Sequence, residues 1–357
     1  TMSLCTSNLP SPEIALPTAH FNTIAYSGDG GQSVSGVGFQ PDLVWVKCRS
    51  YAYNHQLHDS VRGATAGALF SNSTDAETTY EFDSFDSDGF TTDSANVTGI
   101  NNSGHTFAAW NWKAGGSAVT NTAGDIDSEV SANTAAGFSV VTYTGNRTGA
   151  AQNGDTFGHG LSQTPELIFC KNLSAAENWL VYAEPLGTSG GEEGYLLLND
   201  TNAAGYSNGG WYSAPTATLS PGLGSWANVN NDGDEFVAYC FHSVDGYSKV
   251  GSYEGNNNAD GSFIYLGFKP EIFLVKDIDS VEHWAMWDGT REPYNKLSKK
   301  ISASDGVAEY TANTTTYAID FLSNGVKLRS SYSVLNAAES YLYYAVAESP
   351  FKTSNAR

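Results

Sequence analysis

Five groups of residues have types, and in part spacings, that could do chemistry. "NHQLHD", residues 54–59, brings together His55, His58 and Asp59, all metal-ligand types. "DSFDSDGF", residues 83–90, sets Asp83, Asp86 and Asp88 before Gly89 like the start of a calcium loop, but the bidentate glutamate such a loop needs is replaced by Ala95. "NNDGDE", residues 230–235, has the same acidic look and the same shortfall. Glu184, Glu192, Glu193 and Glu282 could divide acid and base roles in sugar hydrolysis, yet no spacing pairs them. There is no nucleophile elbow, and the runs "GGQSVSGVG" and "GTSGG" lack the strand-to-helix setting of a phosphate loop. The expectation is therefore no catalytic residue, no metal, no cofactor and no enzyme. The fifth group differs. Residues 205–231 gather Tyr206, Trp211, Tyr212 and Trp226 among Gly, Ser and Asn. Large rings on polar loops make stacking platforms for sugar faces, so these four are the expected carbohydrate-binding residues.

The elements that must position these groups are repeated. "QPDLVWVKC", "TPELIFCKN" and "KPEIFLVKD" each run from a proline through an acid and four apolar residues to a lysine, so that Pro41 and Lys47, Pro165 and Lys171, and Pro270 and Lys276 are six positions apart. Fourteen residues after each proline stands a ring, His55, Trp179 or Trp284, and three further on another, His58, Tyr182 or Trp287. The histidines of the metal-like motif thus occupy places where the fold wants flat rings. Copies one and three add an acid and an arginine three apart, Asp59 with Arg62 and Asp288 with Arg291, where copy two has Ala183 and Leu186. An exposed pair of this kind ties a turn and contributes about 1 kcal/mol or less. Each copy opens with a strand ending in Tyr-x-Gly, at Gly28, Gly145 and Gly255, and later carries a turn ending at Gly89, Gly222 or Gly325. Each closes on an apolar strand, such as "AAWNWK", whose Trp110 and Trp112 alternate with Ala109 and Asn111.

Helical stretches such as "SAAENWLVYAE" are short, turn signals recur every 8–12 residues, and about eight strands can be placed per copy. This predicts an all-β chain of three tandem antiparallel β-sandwich or jelly-roll-like domains, at residues 1–124, 125–246 and 247–357. Whether they string out linearly or close around an axis is left open. Cys5, Cys48, Cys170 and Cys240 are too scattered for disulfides or zinc, and read as free thiols in apolar slots. Cys48 follows its strand lysine and Cys170 precedes its own, which is read as placing them on opposite faces. The formal charge of −21, from 38 acids against 17 bases, argues against nucleic acid and anionic lipid as partners. No stretch has the length of a membrane span and the start lacks a signal-peptide pattern, while the free thiols are consistent with assembly in a reducing cytoplasm.

"SANTAAGFSVVTYTGN", "GHGLSQTPELIFCKN", "GFKPEIFLVKD", "DFLSNGVKLR" and "AESPFKTSNAR" together resemble an uncharacterised repeated domain of tailed-bacteriophage proteins, found in tail fibres and other virion appendages, notably of marine and cyanobacterial phages. The resemblance runs from about Phe21 to Arg357. It implies a virion structural protein that contacts other virion proteins and carries no known catalytic residues. The expected function is adhesion to host surface polysaccharide by a homotrimer, whose weak sites gain through avidity. The alternatives are a capsid fibre or decoration protein with no ligand of its own and, third, a polysaccharide depolymerase.

Overall fold

A strand with four consecutive apolar residues can be buried on both faces, and that is how the repeated motif is used. In copy one, Val44, Val46 and Cys48 point into that copy's own sandwich, and Leu43 and Trp45 point the other way, into a core common to all three copies. Copies two and three divide their residues identically, with Ile168 and Cys170 or Phe273 and Val275 inward, and Leu167 and Phe169 or Ile272 and Leu274 toward the common core. The structure is a computed structural model that describes residues 11–31, 33–79, 82–92, 98–147, 154–311 and 315–353.

Copy one comprises β1 (Phe21–Ser27), β2 (Ser33–Ser35), β3 (Leu43–Cys48), β4 (Gln56–Asp59), β5 (Phe82–Asp86), β6 (Gly89–Thr92) and β7 (Thr106–Trp112). Copy two runs through β8 (Val119–Asn121), β9 (Ser128–Asn133), β10 (Phe138–Thr144), β11 (Leu167–Asn172), β12 (Leu180–Ala183), β13 (Thr188–Ser189), β14 (Glu192–Leu197), β15 (Gly205–Tyr206), β16 (Trp211–Ser213), β17 (Gly222–Leu223) and β18 (Glu235–Phe241). Copy three has β19 (Ser248–Glu254), β20 (Phe263–Tyr265), β21 (Phe268–Asp277), β22 (Ala285–Asp288), β23 (Ile301–Ser302), β24 (Ile319–Leu322), β25 (Gly325–Leu328) and β26 (Ser340–Pro350). One antiparallel order recurs: β1-β7-β3-β4, β10-β18-β11-β12 and β19-β26-β21-β22. In copy two this sheet is extended by β8 and β9 on one side and by β13, β14 and β15 on the other. A second layer, β2-β6-β5, β16-β17 or β20-β25-β24, completes each sandwich.

The repeated small motifs now have causes. Tyr26, Tyr143 and Tyr253 of the Tyr-x-Gly strands stack on Phe107, Phe236 and Tyr341, their ring centroids 5.2, 5.0 and 5.0 Å apart. Their hydroxyls donate to the carbonyls of Ile100, Val229 and Leu335. A Cβ at Gly28, Gly145 or Gly255 would overlap a backbone carbonyl oxygen of Asn102, Asn231 or Ala337, so only glycine fits beside that tyrosine.

The three copies close into a ring with threefold pseudosymmetry. His55 Nε2, Trp179 Nε1 and Trp284 Nε1, the rings fourteen residues after each proline, donate to the carbonyls of Ser302, Phe70 and Leu197 at 2.9, 2.9 and 2.8 Å. Copy one therefore reaches into copy three, copy two into copy one, and copy three into copy two. Four residues beyond each acceptor, the carbonyls of Gly306, Thr74 and Thr201 take the ammonium groups of Lys47, Lys171 and Lys276 at 3.1, 3.2 and 3.2 Å. Seven residues beyond, Glu309, Glu77 and Ala204 donate backbone N–H groups to the carbonyls of Arg49, Leu173 and Ile278. Each lysine also bonds a carbonyl of its own copy, that of Asn172 or Asp277 at the strand end, or that of Tyr53 in the loop after β3. Burial pushes all three ammonium groups down to about 8, the cost of holding a cation inside a seam. Trp45 Nε1 donates to His55 Nδ1 at 2.9 Å, which leaves the proton on Nε2 for Ser302. Burial, with the Lys47 charge beside it, holds that imidazole neutral.

Three expectations need correcting. Cys48 and Cys170 stand seven and five residues after their prolines, a separation of two, so they share a face, and both lie inside their own sandwiches. Cys48, Cys170 and Cys240 are free and buried, and Cys5 lies outside the described residues. "SAAENWLVYAE" is a loop followed by strand β12. Leu180 and Tyr182 enter one core and Val181 and Ala183 the other, which blurs the alternation. The Asp–Arg pairs are interior rather than exposed. Asp59 holds Arg62 Nε at 2.6 Å and receives the Tyr239 hydroxyl of copy two at 2.9 Å, and Asp288 holds Arg291 and receives the Trp110 indole of copy one at 3.1 Å.

Candidate functional site

The four expected sugar-binding rings do not form one platform: no ring contact joins any two of them among the described residues. Trp211 is the clear correction. It is 0% exposed, packed in the core of copy two with Tyr182 edge-on to it at 6.3 Å, and its indole N–H has no partner among the described residues. A ring without an exposed face cannot stack on a sugar. Tyr212, its neighbour on β16, points the opposite way and is exposed beside Gly154. Tyr206 on β15 is also exposed, and its hydroxyl donates to the Leu186 carbonyl at 3.3 Å.

Trp226 is different. Seven of the eight tryptophans are at most 3% exposed, and Trp226 alone is half-buried. Its indole lies over the backbone of Gly209 and Gly210, where a Cβ at Gly209 would overlap it. Its backbone N–H is tied to the Gly209 carbonyl at 2.8 Å, and Tyr195 of β14 meets the ring edge-on at 4.9 Å. The remaining surface lines a groove of about 450 Å³ with Glu177, Asn178, Tyr195, Ser225 and Asn228. Asn228 Nδ2 donates to the Asn178 carbonyl at 3.0 Å, and Asn178 Oδ1 accepts Asn199 Nδ2 at 2.8 Å. These bonds fix both amides and leave the Asn178 N–H groups and Asn228 Oδ1 for a ligand hydroxyl. Tyr195, Asn178 and Glu177 were not singled out in the sequence, because strand β14 and the 174–179 loop approach the 205–231 segment only after folding.

The other candidate groups are absorbed by structure. His58 is buried and stacks on Phe82 at 4.6 Å, and burial pushes its imidazole down to about 3. Asp88 accepts the backbone N–H groups of Gly36 and Gly38, and Asp86 accepts the hydroxyls of Ser84 and Thr91. Ala95 lies outside the described residues. In "NNDGDE", Asp234 accepts the side-chain amides of Asn172 and Asn231, both at 2.8 Å. Glu282 accepts the Ser333 hydroxyl, and no group of three or more His, Cys, Asp or Glu placed to hold a metal ion is found among the described residues. No described helix is long and apolar enough to cross a membrane.

A family profile described as "Domain of unknown function (DUF7483)" matches residues 16–350. The chain belongs to that family. One profile spans all three copies, in keeping with a ring whose seams and common core need all of them. No match is found among the curated proteins.

Proposed function

We propose that this chain is a structural protein of a tailed-phage virion, in a tail fibre or appendage, that adheres to host surface polysaccharide through the Trp226 groove. The observation that carries the reading is the single partly exposed indole, backed by glycines, held edge-on by Tyr195 and flanked by amides able to bond hydroxyls. Such a site offers apolar contact for a sugar face and directional partners for its rim. The resemblance of the repeat motifs to those of phage appendage proteins supplies the setting. Assembly as a homotrimer with other virion proteins would multiply a weak site, of about millimolar strength, into firm attachment. Closure of the ring removes one argument for the spacer alternative, since three copies packed about an axis do not lengthen a fibre. Decoration of a capsid remains the second reading, because a ring with threefold pseudosymmetry suits a threefold position on a shell.

The test is adsorption of particles carrying Trp226→Ala, together with immunogold labelling of intact particles. Label at the tail fibres and a large loss of adsorption, with normal assembly, support the proposal. Label on the head with unchanged adsorption transfers the reading to capsid decoration, and release of new reducing ends from host polysaccharide would establish a depolymerase.

A further inference from the structure

The pseudosymmetry places a second ring where Trp226 stands. Trp226 lies three residues before Val229, whose carbonyl accepts the Tyr143 hydroxyl at 2.7 Å, and the Trp226 carbonyl accepts the Asn230 N–H at 3.2 Å. In copy three the Leu335 carbonyl accepts the Tyr253 hydroxyl at 2.7 Å, and the Tyr332 carbonyl accepts the Asn336 N–H at 2.9 Å. Tyr332 is therefore the counterpart of Trp226. It is 45% exposed and meets Tyr317 edge-on at 5.2 Å, as Trp226 meets Tyr195. Tyr317 is fixed in turn by Tyr310 at 5.4 Å and by the Lys300 ammonium, 4.6 and 4.8 Å from the two ring centres.

Around Tyr332 lies a groove of about 500 Å³ lined by hydroxyl residues, among them Ser330, Ser331 and Ser333, with Arg329 at its wall. The Ser330 hydroxyl donates to the Thr316 carbonyl at 2.6 Å and the Ser333 hydroxyl to Glu282, so both serines are set. Arg329 Nε is paired with Asp320 at 2.6 Å, which neutralises the one charged residue of the lining.

We infer that copy three carries a second carbohydrate subsite, centred on Tyr332, that takes a neutral sugar residue of the same glycan. This rests on the reading of the Trp226 groove as a glycan site. Neutral sugar follows from the chemistry: an exposed ring for the apolar face, hydroxyls for the rim, a guanidinium already paired, and a chain charge of −21 that repels a polyanion. At the matching place in copy one, three residues before Ile100, the sequence has Val97, which offers no ring. Among the described residues the ring recurs at this place in copies two and three.

Affinity electrophoresis of the intact chain tests this, in gels containing dextran, galactomannan or mannan, with polygalacturonate and alginate as the anionic set. Retardation by at least one neutral gel is expected, weakened about tenfold by either Trp226→Ala or Tyr332→Ala and abolished by both, with Tyr332→Phe close to the parent. Unchanged urea midpoints show that the variants are folded. Retardation abolished by Trp226→Ala and untouched by Tyr332→Ala overturns the second subsite and leaves the first. Loss with Tyr332→Ala alone overturns the Trp226 reading and with it the two-subsite inference, leaving Tyr332 as a lone glycan site. No retardation by any neutral gel, or retardation only by the anionic ones, overturns the inference.

Discussion

Copy two supplies a natural control for the buried ion pairs, and this makes the Asp59–Arg62 pair the sharpest test of the ring. Arg62 gives Asp59 its Nε at 2.6 Å and its backbone N–H at 2.9 Å, bonds the Gly67 carbonyl at 2.9 Å, and pairs with Glu77 at 2.6 Å. Arg62→Leu leaves the Asp59 carboxylate, fully buried, without a counter-charge. Asp59→Ala leaves the buried guanidinium with Glu77, which is partly exposed, as its counter-charge. Arg62→Leu should cost about 3–5 kcal/mol, because a lone buried charge is far worse than a buried pair, and Asp59→Ala should cost less because Glu77 still faces the guanidinium. The double variant Asp59→Ala/Arg62→Leu recreates the Ala183 and Leu186 of copy two, a version of this position that the ring already tolerates. Its residual cost is the Tyr239 hydroxyl, which loses its acceptor, about 1–3 kcal/mol, and Tyr239→Phe should recover part of it. In copy three the equivalent hydroxyl of Tyr344 instead accepts the Trp112 indole N–H at 3.3 Å. Urea unfolding followed by tryptophan fluorescence reads all four proteins. The expected order puts the double variant above both singles in stability. Singles that each cost under about 1 kcal/mol, or a double equal to their sum, would refute the buried-seam account.

Two further outcomes follow from particular residues. Glu271, whose Oε1 accepts the Thr290 hydroxyl at 2.7 Å, is pushed up from 4.5 to about 8 by burial and then by the Asp288 charge, so the folded chain keeps a proton that the unfolded chain loses. Its contribution is therefore present at low pH and is lost as pH rises from 4.5 through about 8, on the order of 5 kcal/mol in all. Stability measured across that window should fall for the parent and flatten for Glu271→Gln, and a variant with the parent's slope would count against it. Gly325→Ala would drive a Cβ into the Ile264 carbonyl of the paired strand, and should lower stability by about 1–3 kcal/mol in the same urea assay. An unchanged midpoint would show that the turn does not need glycine.

Much of the fold was legible because its signals are side-chain types at repeated offsets. The lysine after each central strand, the ring fourteen residues past each proline and the Tyr-x-Gly ends all appear in the sequence, and all three have one role in every copy. Their destinations were not legible, since the acceptors are backbone carbonyls at Ser302, Phe70 and Leu197, which share no residue type. Ring closure was hidden for the same reason. The placement of Cys48 and Cys170 was available from the two-residue period of a strand, and so was half of the aromatic question. Trp211 and Tyr212 are adjacent on one strand, so one ring had to turn in. Trp226 stood apart only through its glycine bed and its Tyr195 neighbour, contacts made by distant segments.

The most direct measurement is fluorine NMR of the chain labelled with 5-fluorotryptophan, each of its eight resonances assigned by a Trp→Phe variant, during titration with the neutral glycan that retards it. The account predicts that the Trp226 resonance shifts with saturation while those of buried Trp110, Trp179, Trp211 and Trp284 stay in place. A still Trp226 resonance under glycan concentrations that saturate retardation would contradict it.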